Sequence, residues 1–468
     1  MQPGSHQNPQ GDTDVPSPAP ATGPRNGLSA GLTTLSLGIQ HVVAMFGATF
    51  VFPLLMGLDP NLAIMMSGIC TILFLLIVNG KVPSYLGSSA SFVAAAVIIA
   101  ADGGGPATIT GAVLVTGVVL ALAGFVIHLL GPNAIVRAFP PAVTGGVVML
   151  IGFNLAPVVS ESYWPYDQWT ALLTMAFVIL ATVVLRGFLS RITVLLGLVF
   201  GFVLSWVFDR FFGMTPTPQE DGSVKDAFRV DLSGVADAPW FGLPEFHAPE
   251  FHLSAILVAL PAVIALIAEN AGHVKAVQEM TGNDLNPYMG RAIFADGVAT
   301  ALASSVGGAP TTTYAENIGV MAITRVYSTA PYYVAAVIAI LIGLCPKFGA
   351  LVYAIPQGVI GGITVILYGM IGLLGAKIWV ENQVNFADPL VLVPIAAGLI
   401  AGIGNVSLVF TDGFQISGIA LGTIVILAGY HLLHALAPRS KTHAAPSPGA
   451  PAGSGAEGGK AEQDAVQD

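Results

Sequence analysis

Two glutamates stand in stretches of sequence that otherwise carry no charge. Glu269 lies in LPAVIALIAENAGHVKAV, after an uncharged run from 251 to 268, and Glu316 lies in TTTYAENIGV. An ionised carboxylate only accepts hydrogen bonds, so a pair of them suits a flat ring that presents N–H donors beside C=O acceptors. Backbone amides at a broken helix would supply the matching donors. Glu316 opens the helical part of its segment, where free N–H groups and the positive end of the helix dipole favour a carboxylate or a ligand oxygen. His273 follows Glu269 at i+4, on the same helical face, so the two can interact directly. An acid or imidazole in such surroundings is suited to take up and release a proton. Binding of such a ring coupled to proton movement is therefore the chemistry these residues could do. Asp296, in FADGVATALASS, reads as structural, and His41 reads as a satisfied core histidine.

The elements that position these side chains follow from composition. Of 468 residues, 54% are hydrophobic and only 9% charged, with a mean hydropathy of +0.78. A soluble domain carries about 25% charged residues. The chain reads as an all-α polytopic membrane protein in contact with a lipid bilayer. A charged side chain at the bilayer centre costs at least about 2.5 kcal/mol on insertion scales, so one that persists faces a cavity, a partner or a ligand. Spans of about 20 apolar residues are expected near 30–56, 62–80, 84–101, 107–130, 138–158, 168–186 and 192–208. After a loop at 209–251, a second set is expected near 253–272, 290–306, 314–325, 329–346, 350–376, 389–404 and 414–436.

This arrangement, with both termini in the cytoplasm, leaves twelve of the 16 lysines and arginines inside, as the positive-inside rule requires. Seven segments per half make the halves enter the membrane from opposite sides, giving 14 transmembrane segments in two inverted 7-helix repeats. The third segment of each half is the odd one. VPSYLGSSASFVAA (82–95) and GGAPTTTYAENIGV (307–320) are rich in Gly, Ser, Thr and Pro, and interrupted segments at matching positions point to a binding site near the midplane. The ends, 1–29 and 439–468, are too polar and too rich in Pro and Gly to bury apolar surface, and disordered tails are expected there. The acidic residues of the 209–251 loop read as a solvated face.

Several functions are disfavoured. A net charge of -10 offers no basic surface for nucleic acid. Cys70 and Cys345 are the only cysteines, both in apolar runs, so neither a disulfide framework nor a thiolate metal site is expected. No metal and no cofactor is implied. The motifs GxSxG, HExxH and the P-loop are missing, and the chain does not read as an enzyme.

ENIGVMAITR (316–325) resembles the signature of the nucleobase/ascorbate transporter family, an acid or amide followed by Asn, a spaced Gly, and Thr with a basic or small residue. The resemblance extends through GIQHVVAMFGAT (38–49), KVPSYLGSS (81–89), AENAGHVKAV (268–277), DGVATALASSVGGAPTTTYAENIGV (296–320) and PQGVIGGITVILYG (356–369). It implies a core domain (30–130 and 252–349, segments 1–4 and 8–11) and a gate domain (131–251 and 350–438, segments 5–7 and 12–14). Short strands in segments 3 and 10 would pair in the middle of the core. The base would be held by Glu269 and Glu316, with backbone groups at Ala90 and Ala315, and the pocket would be lined by Tyr314, Ala44 and Tyr368. Glu269 and His273 would couple the proton. Glu at the first signature position resembles the uracil and pyrimidine permeases of the cytoplasmic membrane more than the xanthine and urate carriers. The resemblance thus implies a proton-coupled symporter that imports uracil or a related pyrimidine and forms a homodimer through the gate. Ala90, Ala315 and Asn270 depart from the usual Phe, Gly and His of uracil permeases, which keeps a purine open as substrate. An anion carrier of the sulfate/bicarbonate type shares the fold but fits two buried carboxylates poorly.

Overall fold

Proline and glycine decide where the apolar runs of this chain are cut and how closely the pieces pack. A computed structural model describes residues 27–131, 137–218, 224–411 and 414–437. Most of the two expected tails, and the whole of 438–468, lie outside these residues. Among them, eight helices are long and apolar enough to cross a bilayer, and a ninth span is possible if Ala330–Gly343 and Pro346–Tyr353, bent by 79°, act as one. Three shorter apolar helices, Ala90–Ala101, Gln168–Val184 and Pro389–Ile403, complete the apolar inventory.

Each expected stretch holds helix, although fewer are long enough to cross a bilayer, and the departures have local causes. The run expected at 253–272 is cut into Leu253–Ala259 and Ala262–Thr281, because Pro261 has no N–H to donate and its ring clashes with the preceding turn. The second piece carries Glu269 and His273 and stops at Gly282, whose φ of +69 supplies the left-handed cap. The run expected at 350–376 is cut in the same way before Pro356, into Pro346–Tyr353 and Gln357–Glu381. Helix Pro141–Phe153 continues past a break at Asn154–Leu155 into a helical turn at Ala156–Val158 and a π-helical turn at Val159–Tyr163.

Two groups of helices pack internally. In one, Pro106–Leu130 lies against Met289–Ser305, and Pro60–Ile77 against Ala330–Gly343 and Gly27–Leu55. In the other, Pro141–Phe153 and Gln168–Val184 lie against Gln357–Glu381, and Pro389–Ile403 against Gly418–Leu436. With no water to drive helices together in lipid, small residues that let backbones touch do the work. A Cβ on Gly117 would fall 2.8 Å from the amide nitrogen of Ala301 and 3.1 Å from the carbonyl of Gly297. One on Gly152 would collide with the backbone of Gly372. Leu122, Leu129, Leu180, Val183, Leu341 and Val380 point outward and are exposed, as a lipid-facing surface requires.

Among the described residues, three two-stranded antiparallel sheets interrupt the helices. Strands β1 (Leu86–Ser88), β2 (Thr215–Pro218), β3 (Val224–Ala227), β4 (Thr311–Thr313), β5 (Ser407–Thr411) and β6 (Phe414–Ser417) pair as β1–β4, β2–β3 and β5–β6. The strands in segments 3 and 10 were expected, and the other two hairpins were not. The expectation of a solvated acidic face at 209–251 also needs correcting. Asp209 is largely buried and, with Asp167, clamps Arg229, at 3.1 and 2.8 Å. Asp167 also caps helix Gln168–Val184 through the amide of Thr170. The clamp ties the loop to the helix ends, so these charges are structural while Asp231, Glu245 and Glu250 remain exposed.

Candidate functional site

The site is built where β1 and β4 cross. Leu86 pairs with Thr313, Gly87 with Thr312 and Ser88 with Thr311. The ladder continues at both ends, with the Ser89 amide donating to Pro310 (2.8 Å) and the Tyr314 amide to Tyr85 (3.0 Å). Each strand then runs straight into a helix start. Ala90 opens a 3-10 turn that continues as helix Val93–Ala101, and Ala315 opens helix Ala315–Thr324. Neither start is closed by a side-chain cap. Two sets of backbone N–H donors therefore border the strand crossing, each with the positive end of its helix.

The strands approach closely because Gly87 has no side chain. The ring of Tyr314 occupies the space where a Cβ would stand, and that Cβ would also lie 2.7 Å from Thr49 Oγ1. The Tyr314 hydroxyl donates to the Ser88 carbonyl at 2.7 Å, and Ser88 Oγ donates to the Thr49 carbonyl at 2.7 Å. Tyr314 is thus a buried brace between the two strands, and Ser88 ties them to helix Gly27–Leu55.

A polar chain runs through the other side. Thr313 Oγ1 donates to Asn270 Oδ1 (3.2 Å), and Asn270 Nδ2 donates to Asp296 Oδ2 (2.8 Å) and to the Leu266 carbonyl (2.9 Å). The hydroxyl hydrogen of Thr313 is spent on Asn270, so His273 Nδ1 is the donor in its 2.7 Å bond to Thr313 Oγ1. This leaves His273 Nε2 as the position that can take or give a proton. His273 therefore bonds to strand β4, and its partner is not Glu269. A second histidine is fixed by the signature itself. Asn317 Nδ2 donates to His41 Nδ1 (3.1 Å) and to the His41 carbonyl (3.0 Å), while the His41 ring rests on Tyr332 with centroids 4.3 Å apart.

Helix Ala262–Thr281, which carries Glu269 and His273, packs on β4, on helix Ala315–Thr324 and on the Ala90–Phe92 turn. Helix Gly27–Leu55, which carries buried Ala44, packs on β1 and on helix Ala315–Thr324. The fold thus gathers the elements bearing Glu269, Glu316, Ala90, Ala315, Tyr314, Ala44 and His273 around one crossing. Glu269, Glu316 and Ala90 are half-buried and Ala315 is exposed. The Glu316 carboxylate accepts from its own backbone amide at the helix start, and no side-chain bond from either glutamate to another described residue is formed. Tyr368 lies in the second helix group, where it lines a cavity of about 420 Å3 with Phe153, Trp164 and Val365.

Thr313, Ser88 and Thr49 escaped the search for charged residues, and Asn270 entered only as a departure from the usual His, although the run TTT beside Tyr314 marks an unusual polar strand in an apolar chain. Among the described residues no group of His, Cys, Asp and Glu is arranged to hold a metal. Cys70 is buried and directs Sγ to the Ala299 carbonyl at 3.3 Å, the packing role expected of it.

The sequence profile of the permease family, which covers xanthine and uracil permeases, matches residues 32–410. The chain belongs to the nucleobase/ascorbate transporter family. Among its relatives in this family is RutG of Escherichia coli (strain K12), assigned as a pyrimidine permease, which is 45% identical over 415 residues, 87% of this chain and 90% of that protein. The uracil permease of Bacillus subtilis (strain 168) is 35% identical over 428 residues, 87% and 93% of the two chains. Among solved structures, the murine anion transporter Slc26a9 in its inward-facing state aligns with a TM-score of 0.60 over 91% of this chain and 74% of that one. At 11% identity that likeness concerns the fold alone. Members of this family are membrane permeases and not enzymes, and this chain is a helical, multi-pass permease.

Proposed function

We propose that this permease is a proton-coupled symporter that imports uracil or a closely related pyrimidine across the cytoplasmic membrane by alternating access. The observation that carries the reading is the placement of two glutamates, Glu269 and Glu316, beside two helix starts at Ala90 and Ala315 that carry no N-cap side-chain bond. Uracil has N–H and C=O groups alternating on one ring edge. The carboxylates accept from its N–H groups, and the amides at the helix starts donate to its carbonyls. Tyr314 and Ala44 border the bound ring, and Tyr368 faces it from the opposite helix group. Glu269, with His273 held by Thr313, carries the proton. The kinship with pyrimidine and uracil permeases supports a pyrimidine over xanthine, urate or an inorganic anion.

The chain in this reading has 14 segments in two inverted repeats, a core of segments 1–4 and 8–11 and a gate of segments 5–7 and 12–14, with both termini in the cytoplasm and a homodimer contact through the gate. The two internally packed helix groups support the core and gate division. Matching contacts support the repeat, since segment 2 packs on 11 as segment 4 packs on 9, and the crossing strands come from segments 3 and 10. Uptake of radiolabelled uracil into membrane vesicles is expected to rise with an inward proton gradient and to fall by about 100-fold or more in Glu269→Gln and Glu316→Ala, the loss that follows when a charged group's hydrogen bonds to ligand are removed. Uptake that both variants leave unchanged would sink the site.

A further inference from the structure

The turn Leu189–Arg191 joins helices Gln168–Val184 and Thr193–Phe212 and packs on helix Ala315–Thr324. A Cβ built on Gly319 would lie 3.1 Å from Arg191 Cζ and Nε and 3.2 Å from its Cδ. The end of the arginine side chain therefore lies across the notch that this glycine leaves. A few residues on, the same segment meets a second notch, because a Cβ on Gly47 would lie 3.2 Å from the Leu195 amide nitrogen and 3.3 Å from Val194 Cγ1. Gly319 comes three residues after Glu316, and Gly47 three residues after Ala44. Residues spaced by three are neighbours on one helix face. One short segment of the second helix group is thus seated on two glycines of the first, each a turn away from a residue of the base site.

We propose that Leu189–Leu195 is the gate that closes one end of the base site, and that Arg191 is the counter-charge to Glu316 whenever no base is bound. The proposal rests on the reading of Glu316 as a base ligand. A bound uracil satisfies the Glu316 carboxylate with its N–H groups, whereas an empty carrier must bring the same carboxylate back through a poorly hydrated passage. Arg191 is exposed, carries a permanent positive charge, and forms no ion pair among the described residues. Its guanidinium needs to travel less than one helical turn, from Gly319 to Glu316. Gly319 supplies the seat, since a side chain there would lift the guanidinium away. Arg191 is accordingly a positioning residue for the return of the empty carrier and not a ligand of the base.

The test compares two fluxes in proteoliposomes holding the full chain. Net uptake of radiolabelled uracil needs the empty carrier to return, while exchange against uracil loaded inside does not. In Arg191→Gln, net uptake is expected to fall about fivefold, the upper end for losing one partly solvated charge pair, while exchange stays within about twofold. Arg191→Lys keeps the charge and restores net uptake. Gly319→Ala shows the same split at smaller size. A parallel fall of both fluxes, no change in either, or failure of the lysine to rescue would overturn the proposal. A wild-type protein that exchanges no uracil would instead strike at the substrate reading, and the same pair of fluxes measured with the base that does exchange then decides the role of Arg191.

Discussion

The two strands that cross at the centre end alike and continue differently. Three residues beyond the end of β1 stands Ser91, and three residues beyond the end of β4 stands Glu316. Both strands turn directly into an uncapped helix start, and both place an alanine at its first position. The backbone is therefore matched on the two sides of the site while the side-chain chemistry is not. The β1 side offers amide donors and the hydroxyls of Ser89 and Ser91, but no carboxylate. The β4 side offers amide donors, a carboxylate, and a strand whose Thr313 is wired to His273 and Asn270. The two strand-to-helix turns thus form a matched frame, and the side chain three residues beyond each strand makes the difference between them.

That difference can be probed from both sides. The larger effect belongs to the wired strand. Thr313→Val keeps the shape but removes the hydroxyl that joins His273 to Asn270, leaving a buried amide oxygen without a donor at a cost of about 1–3 kcal/mol. Uracil uptake is expected to fall about tenfold, the equivalent of ~1.4 kcal/mol, whereas Thr313→Ser, which keeps the hydroxyl, stays near wild type. Loss in Thr313→Ser with none in Thr313→Val would show that the methyl group, and not the hydroxyl, matters. The smallest effect belongs to Ser91. Ser91→Ala leaves every backbone donor in place, and the apparent affinity for uracil is expected to change by less than about threefold, within the 0.5 kcal/mol usual for a substitution that breaks no specific contact. A large loss would mean that the β1 side also recognises the base through a side chain.

Local chemistry made much of this legible in the sequence. The order of apolar segments, the two interrupted ones and the isolation of Glu269 and Glu316 follow from composition and from the cost of burying charge. The helix breaks at Pro261 and Pro356 were equally visible, but an apolar run drawn straight through a proline hid them.

Long-range pairing was not legible. Nothing local says that Arg229 reaches back 62 residues to Asp167, or that Asn270 bridges Thr313 and Asp296. Such bonds depend on which helices meet, and that is settled by glycine notches far apart in the chain. His273 shows the point most clearly. Its spacing from Glu269 suggested a bond along the helix, yet the approach of β4 offered a hydroxyl at 2.7 Å instead.

The central claim is that Glu316 selects a pyrimidine base at the helix start after β4. Thermal unfolding of the purified protein, followed with uracil, thymine, xanthine, hypoxanthine, urate and ascorbate in turn, tests it most directly. A ligand that binds only the folded state raises apparent stability by about 2.7 kcal/mol at a hundred times its dissociation constant. The account predicts stabilisation of the wild type by uracil above the other compounds, and none in Glu316→Ala. Equal stabilisation of both proteins by uracil, or preference of the wild type for a purine, would contradict it.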